Sequence, residues 1–425
     1  MKEAFWENNR SNFYTNLLFC AILFVDVVLI FVMNTEISIH HKEAAGIFYS
    51  HKLAYEIARF SLDIFGQNDY ALRLPFILLH ICNMILLFLI SRIYCKKPYD
   101  ALMVVLVYAL LPGVIFSSLL VLKSGLIIFI TLLCCYIQIR FHRFPYVVLF
   151  IAVFIDESFA ILFFAFFFYA LKTKNTLAML ISLVFFALNM YMFGLDISGK
   201  PRSYFVYNLG IMALFFSPLL LLYYIYTILN ALRKQINLLV DIGATSLFFV
   251  LLLSLRQNVD LETLFPMSVV ALPVVIKQFF SDIRIRLPAF RLAYLMRFVV
   301  IFSLLVLQSG VLYANKILYL FGTKHFASSY YISKELASAL KDRGLDGVKT
   351  SNYKLELALR FYGISHHSQW YLLPSPDLHE TYENEIPIVY WGKKVASYVL
   401  VPSLHTKPLT KAQSRLKSQS NKLSP

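Results

Sequence analysis

The sequence predicts an α-helical polytopic membrane protein with about eleven membrane segments, followed by a small C-terminal α/β domain on the outer face. Three observations predict this fold class. Of the 425 residues, 59% are hydrophobic and only 15% are charged, and the mean hydropathy is +0.67. Apolar runs recur at the length of roughly 20 residues that a helix needs to cross a bilayer. After residue 313 the composition becomes that of a mixed, water-soluble domain.

Hydropathy divides residues 1–313, the predicted transmembrane domain, into apolar runs. They lie near 14–33, 71–94, 101–120, 125–139, 145–155, 158–171, 175–193, 206–230, 236–255, 264–280 and 292–313. We expect the first run to be a retained span, because no small-residue cleavage site follows it. The stretch 145–171 is long for one span and has Asp156 and Glu157 at its middle. We interpret it as two short helices that meet at these acids.

Lysine and arginine predict the orientation of the spans. They are twice as frequent at one set of loop ends as at the other, and the richer set is expected to be cytoplasmic. The first loop, the loops 194–205 and 256–263, and everything beyond 313 then face outward. This arrangement suits a multi-pass protein of a bacterial inner (plasma) membrane. The net charge of +15 follows largely from this bias and from a basic tail, so it does not indicate nucleic-acid binding.

The C-terminal region divides into an extracytoplasmic α/β domain, 314–408, and a basic tail, 409–425. "SKELASALKDRGL" predicts an amphipathic helix stopped by Gly344, and "YKLELALRFYGI" predicts a second helix ended by Gly363. "DGVKTSN", "QWYLL", "IPIVYW" and "SYVLV" are typical of short strands. The tail has little apolar content and is predicted to be disordered.

The first outward loop is unusually rich in titratable groups. Seven of them lie within 17 residues of sequence: Glu36, His40, His41, Lys42, Glu43, His51 and Lys52. The stretch "KLAYEIARF" that follows predicts an amphipathic helix on the membrane surface, with Leu53, Ile57 and Phe60 toward lipid. This crowding indicates the rim of a reaction site, although the same residues could simply be solvated.

Metal and cofactor sites are not predicted. The spacing of the loop histidines and Glu43 matches no tight zinc motif. The five cysteines all lie in or beside apolar runs, which argues against a disulfide framework or a thiolate metal site: Cys20, Cys82, Cys95, Cys134 and Cys135.

The end of the first loop carries a family resemblance. "FSLDIFGQNDYALRLPF" resembles the "lfG…alRLP" stretch that closes the first outward loop in the GT-C superfamily of membrane glycosyltransferases. The protein O-mannosyltransferase and aminoarabinose-transferase types are the most similar branch. The sequence match is specific only over 61–75, whereas the architecture is similar over about 10–310. The resemblance implies transfer of a sugar from a polyprenyl-phosphate donor to a lipid, glycan or protein acceptor at the outer face.

Such a reaction needs cations at the leaving phosphate and, for a hydroxyl acceptor, a carboxylate that takes its proton. Glu43 is the first candidate for the carboxylate, Glu36 the second, and Asp156 a further one. The candidates for substrate binding are basic residues predicted at the outer surface: His41, His51, Lys52, Arg73, Lys123, Arg202 and Arg256. A phosphate acceptor would need no strong base.

The sequence also departs from the family pattern. Lys42 stands where the family's aspartate would precede Glu43, and Ser124 stands where a second acid is usual. These departures leave two other classes open, a catalytically silent GT-C-like scaffold and a transporter of a lipid-linked substrate. Individual residues also have structural interpretations. Arg73 could anchor its span by snorkelling, and Lys123 could lie in a re-entrant turn.

Acids inside the apolar runs have structural interpretations as well. Asp156 and Glu157 could form a polar turn, and Asp26 and Asp241 are expected to bond neighbouring helices.

Overall fold

A computed structural model of the chain describes residues 2–194, 204–234, 236–322, 325, 327–366, 369–375 and 384–402, with only the backbone for 2–11. The described residues form two compact units, which are treated separately below. Unit 1 consists of those within 1–30 and 76–310, and unit 2 of those within 31–75 and 311–425. The predicted disordered tail, 409–425, lies outside the described residues.

The described residues up to 313 are mostly helical. The helices in the first half are α1 (Lys2–Glu36), α2 (His41–Tyr49), α3 (Leu53–Phe65), α4 (Asp69–Tyr94), α5 (Pro98–Ala109), α6 (Pro112–Leu119), α7 (Ser124–Phe141), α8 (Tyr146–Val153) and α9 (Phe159–Lys172). The later ones are α10 (Thr176–Phe193), α11 (Phe205–Phe216), α12 (Pro218–Lys234), α13 (Leu238–Ser254), α14 (Leu261–Leu264), α15 (Leu272–Ile285), α16 (Pro288–Tyr313), α17 (Ser333–Asp342) and α18 (Tyr353–Phe361).

Among the described residues, six helical segments are long and apolar enough to cross a membrane, with Leu261–Ile285 counted as one, and up to eight if each of two bent pairs is one span. The shorter helices α9 and α13 are also apolar. The prediction of a polytopic helical membrane protein is therefore confirmed, while the number of eleven membrane segments stays a prediction.

Prolines explain where two of the predicted spans bend. Pro112 is the first residue of α6, and α5 and α6 meet at 63°. Pro218 is the first residue of α12, and α11 and α12 meet at 99°. Proline lacks an N–H and fixes its own φ, so it suits the first turn of a helix and cannot continue the preceding one. The two predicted apolar runs 101–120 and 206–230 therefore each form two helices.

Unit 1 confirms the predicted division of the stretch 145–171. Helix α8 ends at Val153 and α9 begins at Phe159, so Asp156 and Glu157 lie in the break between them. The acids Asp26 and Asp241 also bond neighbouring helices, as expected. Asp26 Oδ2 lies 2.6 Å from His80 Nε2 on α4, and Asp241 on α13 pairs with Lys172 at the end of α9.

Unit 2 contains the predicted small sheet. Its strands are β1 (Lys349–Thr350), β2 (Trp370–Pro374), β3 (Glu385–Tyr390) and β4 (Lys393–Pro402), in the order β1-β2-β4-β3. Strand β1 is parallel to β2, and the other neighbours are antiparallel. Trp391 and Gly392 form the β3–β4 turn, both with positive φ, as a tight two-residue hairpin requires.

Both predicted helices of the C-terminal region are confirmed. Helices α17 and α18 are followed by Gly344 and Gly363, each with positive φ, so these glycines terminate them as expected. The leucines that the periodicity places inward form the core with the sheet: Leu336, Leu340, Leu355, Leu359, Leu372 and Leu400.

The first loop belongs to the same unit as this domain. Ser38 donates from both its backbone N and its hydroxyl to the Tyr330 carbonyl, each at 2.7 Å. Helices α2 and α18 also contact each other, because the Arg360 guanidinium lies 4.4 Å from the centre of the Phe48 ring. The loop that was predicted to carry the reaction site is therefore structured by residues more than 280 positions away in sequence.

Candidate functional site in the first loop and the helix breaks

Arg73 is the most enclosed candidate residue in unit 2. It lies in the first turns of α4 and is fully buried. Its guanidinium donates to Asn34 Oδ1 at 2.9 Å, the Ile37 carbonyl at 2.8 Å and the Ser38 carbonyl at 3.2 Å. The interpretation of Arg73 as a snorkelling anchor is wrong, because its charged group bonds within the unit. These contacts are those of a residue that orders the loop 34–38.

Glu43, the first candidate for the base, is brought close to Arg73. Its carboxylate is 5% exposed, and Oε2 lies 4.0 Å from the Arg73 guanidinium. The same oxygen accepts a hydrogen bond of 3.0 Å from the His40 backbone N. His40 in turn caps the start of α2, so Glu43 forms a capping box in its first turn. The carboxylate is thus held in one orientation beside a positive charge.

A second group of contacts connects this loop to the C-terminal part of unit 2. The Tyr362 hydroxyl accepts from the Ile39 backbone N at 2.9 Å and donates to Asp69 Oδ1 at 2.8 Å. Lys334 Nζ lies 3.0 Å from the other Asp69 oxygen. Burial, followed by the charge of Asp69, raises the pKa of Tyr362, so its phenol remains a donor at neutral pH.

Glu36, the second candidate for the base, lies elsewhere in the unit. It pairs with Lys316, whose ammonium also lies 5.0 Å from the centre of the Tyr390 ring. About a third of the Glu36 side chain is exposed (38%), and no contact between Glu36 and Glu43 is observed among the described residues. The structure therefore separates the two candidate bases into different surroundings.

His40 and His41 form a compact pair at the start of α2. Their ring centres are 4.0 Å apart, and the His40 ring stacks on Tyr330 at 4.8 Å. Burial, followed by the charges of His41, Lys42 and Lys354, lowers the pKa of His40 to about 4. Burial, followed by the positive charges of Lys354 and Lys42, also lowers the pKa of His41. Both imidazoles are therefore neutral donor–acceptor groups at physiological pH.

His51 and Lys52 lie at the exposed start of α3. The His51 side chain is 92% exposed and contacts Glu56 at 3.3 Å. Along α3 the residues Ala54, Ala58 and Leu62 are buried, whereas Phe60 is 69% exposed. The helix therefore buries a face of mostly small residues that the sequence did not predict, while Phe60 is exposed as expected; its place on the membrane surface stays a prediction.

In unit 1, Lys123 joins two helix breaks. It follows α6 and precedes α7, and its Nζ lies 2.6 Å from Asp156 Oδ2 and 3.9 Å from Glu157 Oε1 in the break between α8 and α9. The Asn189 amide on α10 donates to the Val153 and Asp156 carbonyls at 2.9 and 3.1 Å, which braces the acidic break. A lysine and two carboxylates are thus held together within an apolar bundle.

Two candidates remain, of which only one lies among the described residues. Arg202 lies outside the described residues, and Arg256 is exposed just after α13. Sequence reasoning missed Asn34, Asp69, Lys334 and Tyr362 as members of the loop network. A signal existed for Asp69, which precedes Arg73 by one helical turn in the family-like stretch, but none for the others. No group of three or more histidine, cysteine or acidic side chains suited to a metal occurs among the described residues.

The fold has a counterpart among solved structures. The crystal structure of ArnT from Cupriavidus metallidurans in the apo state superposes with a TM-score of 0.52, at 11% identity, over 92% of this chain and 99% of that one. No protein-family model matches the sequence. No curated protein matches it either. The likeness shows that the fold of this chain is similar to that of ArnT.

Proposed function

We propose that this protein is a membrane glycosyltransferase that moves a sugar from a polyprenyl-phosphate donor to a lipid, glycan or protein acceptor. We place the reaction at the outer face of a bacterial inner membrane. The observation that carries the proposal is the ArnT-like fold, which extends over nearly the whole of both chains. The family-like stretch 61–75 supports it, because Arg73 in this stretch holds the first loop around Glu43.

The proposed chemistry is a displacement at the anomeric carbon of the sugar. The acceptor oxygen forms the new bond, the bond to the lipid phosphate breaks, and polyprenyl phosphate leaves. Glu43 takes the proton of a hydroxyl acceptor, for which it is oriented by the capping box and by Arg73. Glu36 is the second choice for the base. Arg73 acts mainly as a positioning residue, since its guanidinium is occupied by loop carbonyls.

The other candidates serve substrate binding in this proposal. Lys52 is exposed at the start of α3, so its ammonium can be reached by an anion, and Lys123 is partly exposed at its helix break beside Asp156. His41 and His51 would donate hydrogen bonds to the sugar or the acceptor. Arg202 and Arg256 are proposed as further contacts to the donor phosphate, on the evidence of the sequence.

Replacing Glu43 by Gln tests the proposed base. Glutamine keeps the side-chain oxygen that accepts from His40, so α2 should still be capped, but it cannot take a proton. We expect sugar transfer to a hydroxyl acceptor to fall on the order of 10²–10⁴-fold. Glu56→Gln is the matched control, because Glu56 lies in the neighbouring helix α3 and pairs there with His51 and Arg59 rather than with Arg73. Equal activity of the two variants would exclude Glu43 as the base.

A catalytically silent scaffold of the same fold is the second candidate function, ahead of a transporter of a lipid-linked substrate. The observation that favours it is the state of Glu43, whose Oε2 is used by the His40 backbone and whose carboxylate is almost fully buried. A scaffold would bind the donor lipid but leave the sugar on it, so the transfer assay with the unmodified protein separates the two functions.

A further inference from the structure

Three arginines of unit 1 converge where α15 ends and α16 begins. The guanidinium carbons of Arg286 and Arg297 lie 5.0 and 4.9 Å from the centre of the Tyr294 ring. Arg291 Nε donates to the Arg286 carbonyl at 2.9 Å, which ties the third arginine to the same corner. We refer to Arg286, Arg291, Tyr294 and Arg297 as the Tyr294 arginine cluster.

No counter-ion for this cluster is found within the part of the chain that the structure describes. None of the three arginines is in an ion pair there, and the sequence from 286 to 313 contains no acidic residue. The preceding acid, Asp282, accepts from Gln278 at 2.7 Å. Arg284, in contrast, is neutralised by Asp100. Like charges gathered around one ring without an acidic partner favour an added anion.

The surroundings of the cluster are apolar and exposed. Ile285, Leu287 and Leu292 are 76%, 69% and 66% exposed, respectively. In a membrane protein such side chains face lipid, and guanidinium groups beside them lie at the boundary between acyl chains and water. An occupant must therefore carry both a negative charge and an apolar body.

We propose that the Tyr294 arginine cluster binds the headgroup of an anionic phospholipid. The phosphate accepts hydrogen bonds from the guanidinium groups, whose planar forks match phosphate oxygens, and the acyl chains lie along the exposed face of α16. The Tyr294 ring holds two of the guanidinium groups in place, which reduces the entropy lost on binding. This site is separate from the proposed transferase chemistry and does not depend on it.

A simpler explanation is that these arginines only set the orientation of the spans. Orientation requires positive charge near the ends of a helix, but it does not require that the charges converge on one ring. Arg233 and Lys234 at the end of α12 provide the comparison within the same unit. Both are exposed, and neither has an aromatic or acidic partner among the described residues.

The test measures lipid binding by the full-length protein in detergent. Phosphatidylglycerol and phosphatidylcholine of the same acyl chains are added separately, and retained lipid is counted by native mass spectrometry. We expect the unmodified protein to prefer phosphatidylglycerol. In the double variant Arg286→Gln/Arg297→Gln, the affinity of the protein for phosphatidylglycerol should fall roughly 10- to 30-fold. Arg233→Gln/Lys234→Gln removes the same charge elsewhere and should change the affinity by less than about threefold.

Two further measurements test the roles of the Tyr294 ring and of the acyl chains. Tyr294→Leu keeps all three charges but removes the ring, and it should weaken phosphatidylglycerol binding, whereas Tyr294→Phe should preserve it. Inorganic phosphate should not displace the lipid at millimolar concentration, because it lacks acyl chains. Equal losses in the two double variants, no preference over phosphatidylcholine, or displacement by inorganic phosphate would each overturn the proposal.

Discussion

Arg73 shows how one residue organises the first loop. A fully buried guanidinium is costly unless its donors are satisfied, and here they bond Asn34 and the carbonyls of Ile37 and Ser38. Its Nε has no hydrogen-bond partner among the described residues. The nearby carboxylate of Glu43 supplies the compensating charge. The arginine therefore links the path of the loop to the position of the proposed base.

Replacing Arg73 by Lys should destabilise unit 2 because an ammonium cannot reach both loop carbonyls and Asn34 at once. Removing the charge altogether, in Arg73→Leu, leaves Glu43 buried without its neighbouring cation, and such losses are typically about 3–5 kcal/mol. Thermal unfolding of the full-length protein in detergent measures both effects. Arg256→Lys, an exposed position, serves as the control and should unfold like the unmodified protein. An Arg73→Lys variant with unchanged stability would contradict this account of the loop.

The pKa of His40 predicts a dependence of stability on pH. Burial and the neighbouring cations lower it to about 4 from 6.5. Between these values the unfolded chain binds a proton at His40 that the folded chain does not, so stability is fully present above pH 6.5 and falls as the pH drops toward 4. His40→Asn removes the titration and keeps an N-cap side chain, and should make the loss shallower. His51→Asn, at an exposed histidine, should leave the profile unchanged, and equal slopes in both variants would exclude His40 as the source.

At the scale of elements, two helix breaks of unit 1 are joined by an ion pair. Lys123 and Asp156 come from two different breaks, and their side chains are 24% and 12% exposed. The Asn189 amide donates to two carbonyls of the second break and so helps to satisfy backbone groups inside the bundle. The pair therefore stabilises two irregular segments that lie in otherwise apolar surroundings.

A double-mutant cycle on Lys123 and Asp156 should reveal this coupling. Lys123→Met and Asp156→Leu each leave one partly buried charge without its partner, whereas the double variant removes both. We expect an interaction free energy of about 1–3 kcal/mol from unfolding of the four proteins. A parallel cycle with Glu157→Gln should give a smaller value, since its carboxylate is 3.9 Å from Lys123 and more exposed. Additive effects for Lys123 and Asp156 would show that the ion pair does not contribute.

The elements themselves were largely predictable from the sequence, but their partners were not. Apolar runs, glycine stops and alternation predicted the spans, α17, α18 and the strands, because these are local signals. The acids Asp156 and Glu157 even predicted the break between α8 and α9. Their lysine partner, and the bond from Tyr362 to Asp69, depend on which distant segments meet. No local pattern encodes such pairings, and for the same reason the sequence alone cannot distinguish a buried Arg73 from a surface anchor.

At the scale of the whole molecule, the chain is a polytopic helical protein with an ArnT-like fold. At 11% identity this likeness concerns the fold, and the residues of the proposed site must be tested one by one. The departures at Lys42 and Ser124 distinguish this sequence from the family pattern. They make the acceptor class the least constrained part of the proposal.

Membrane topology is the prediction that belongs to the whole chain. The excess of lysine and arginine at one set of loop ends predicts a cytoplasmic N-terminus and an outward C-terminal domain. A reporter enzyme that is active only outside the cytoplasm should be active when inserted after Asn315. A cytoplasm-only reporter at the same position should be silent. The opposite pattern would show that the C-terminal domain faces the cytoplasm, which would contradict a reaction at the outer face.

The central claim is that a sugar leaves a polyprenyl-phosphate donor on this protein. Purified full-length protein in liposomes is mixed with a slight excess of polyprenyl phosphate carrying an isotope-labelled sugar, together with lipid, glycan or peptide acceptors. The account predicts that one polyprenyl phosphate is released for each labelled sugar transferred, and that Glu43→Gln slows both together when the acceptor is a hydroxyl. A donor that binds but keeps its label with every acceptor class would contradict the account and establish a scaffold instead.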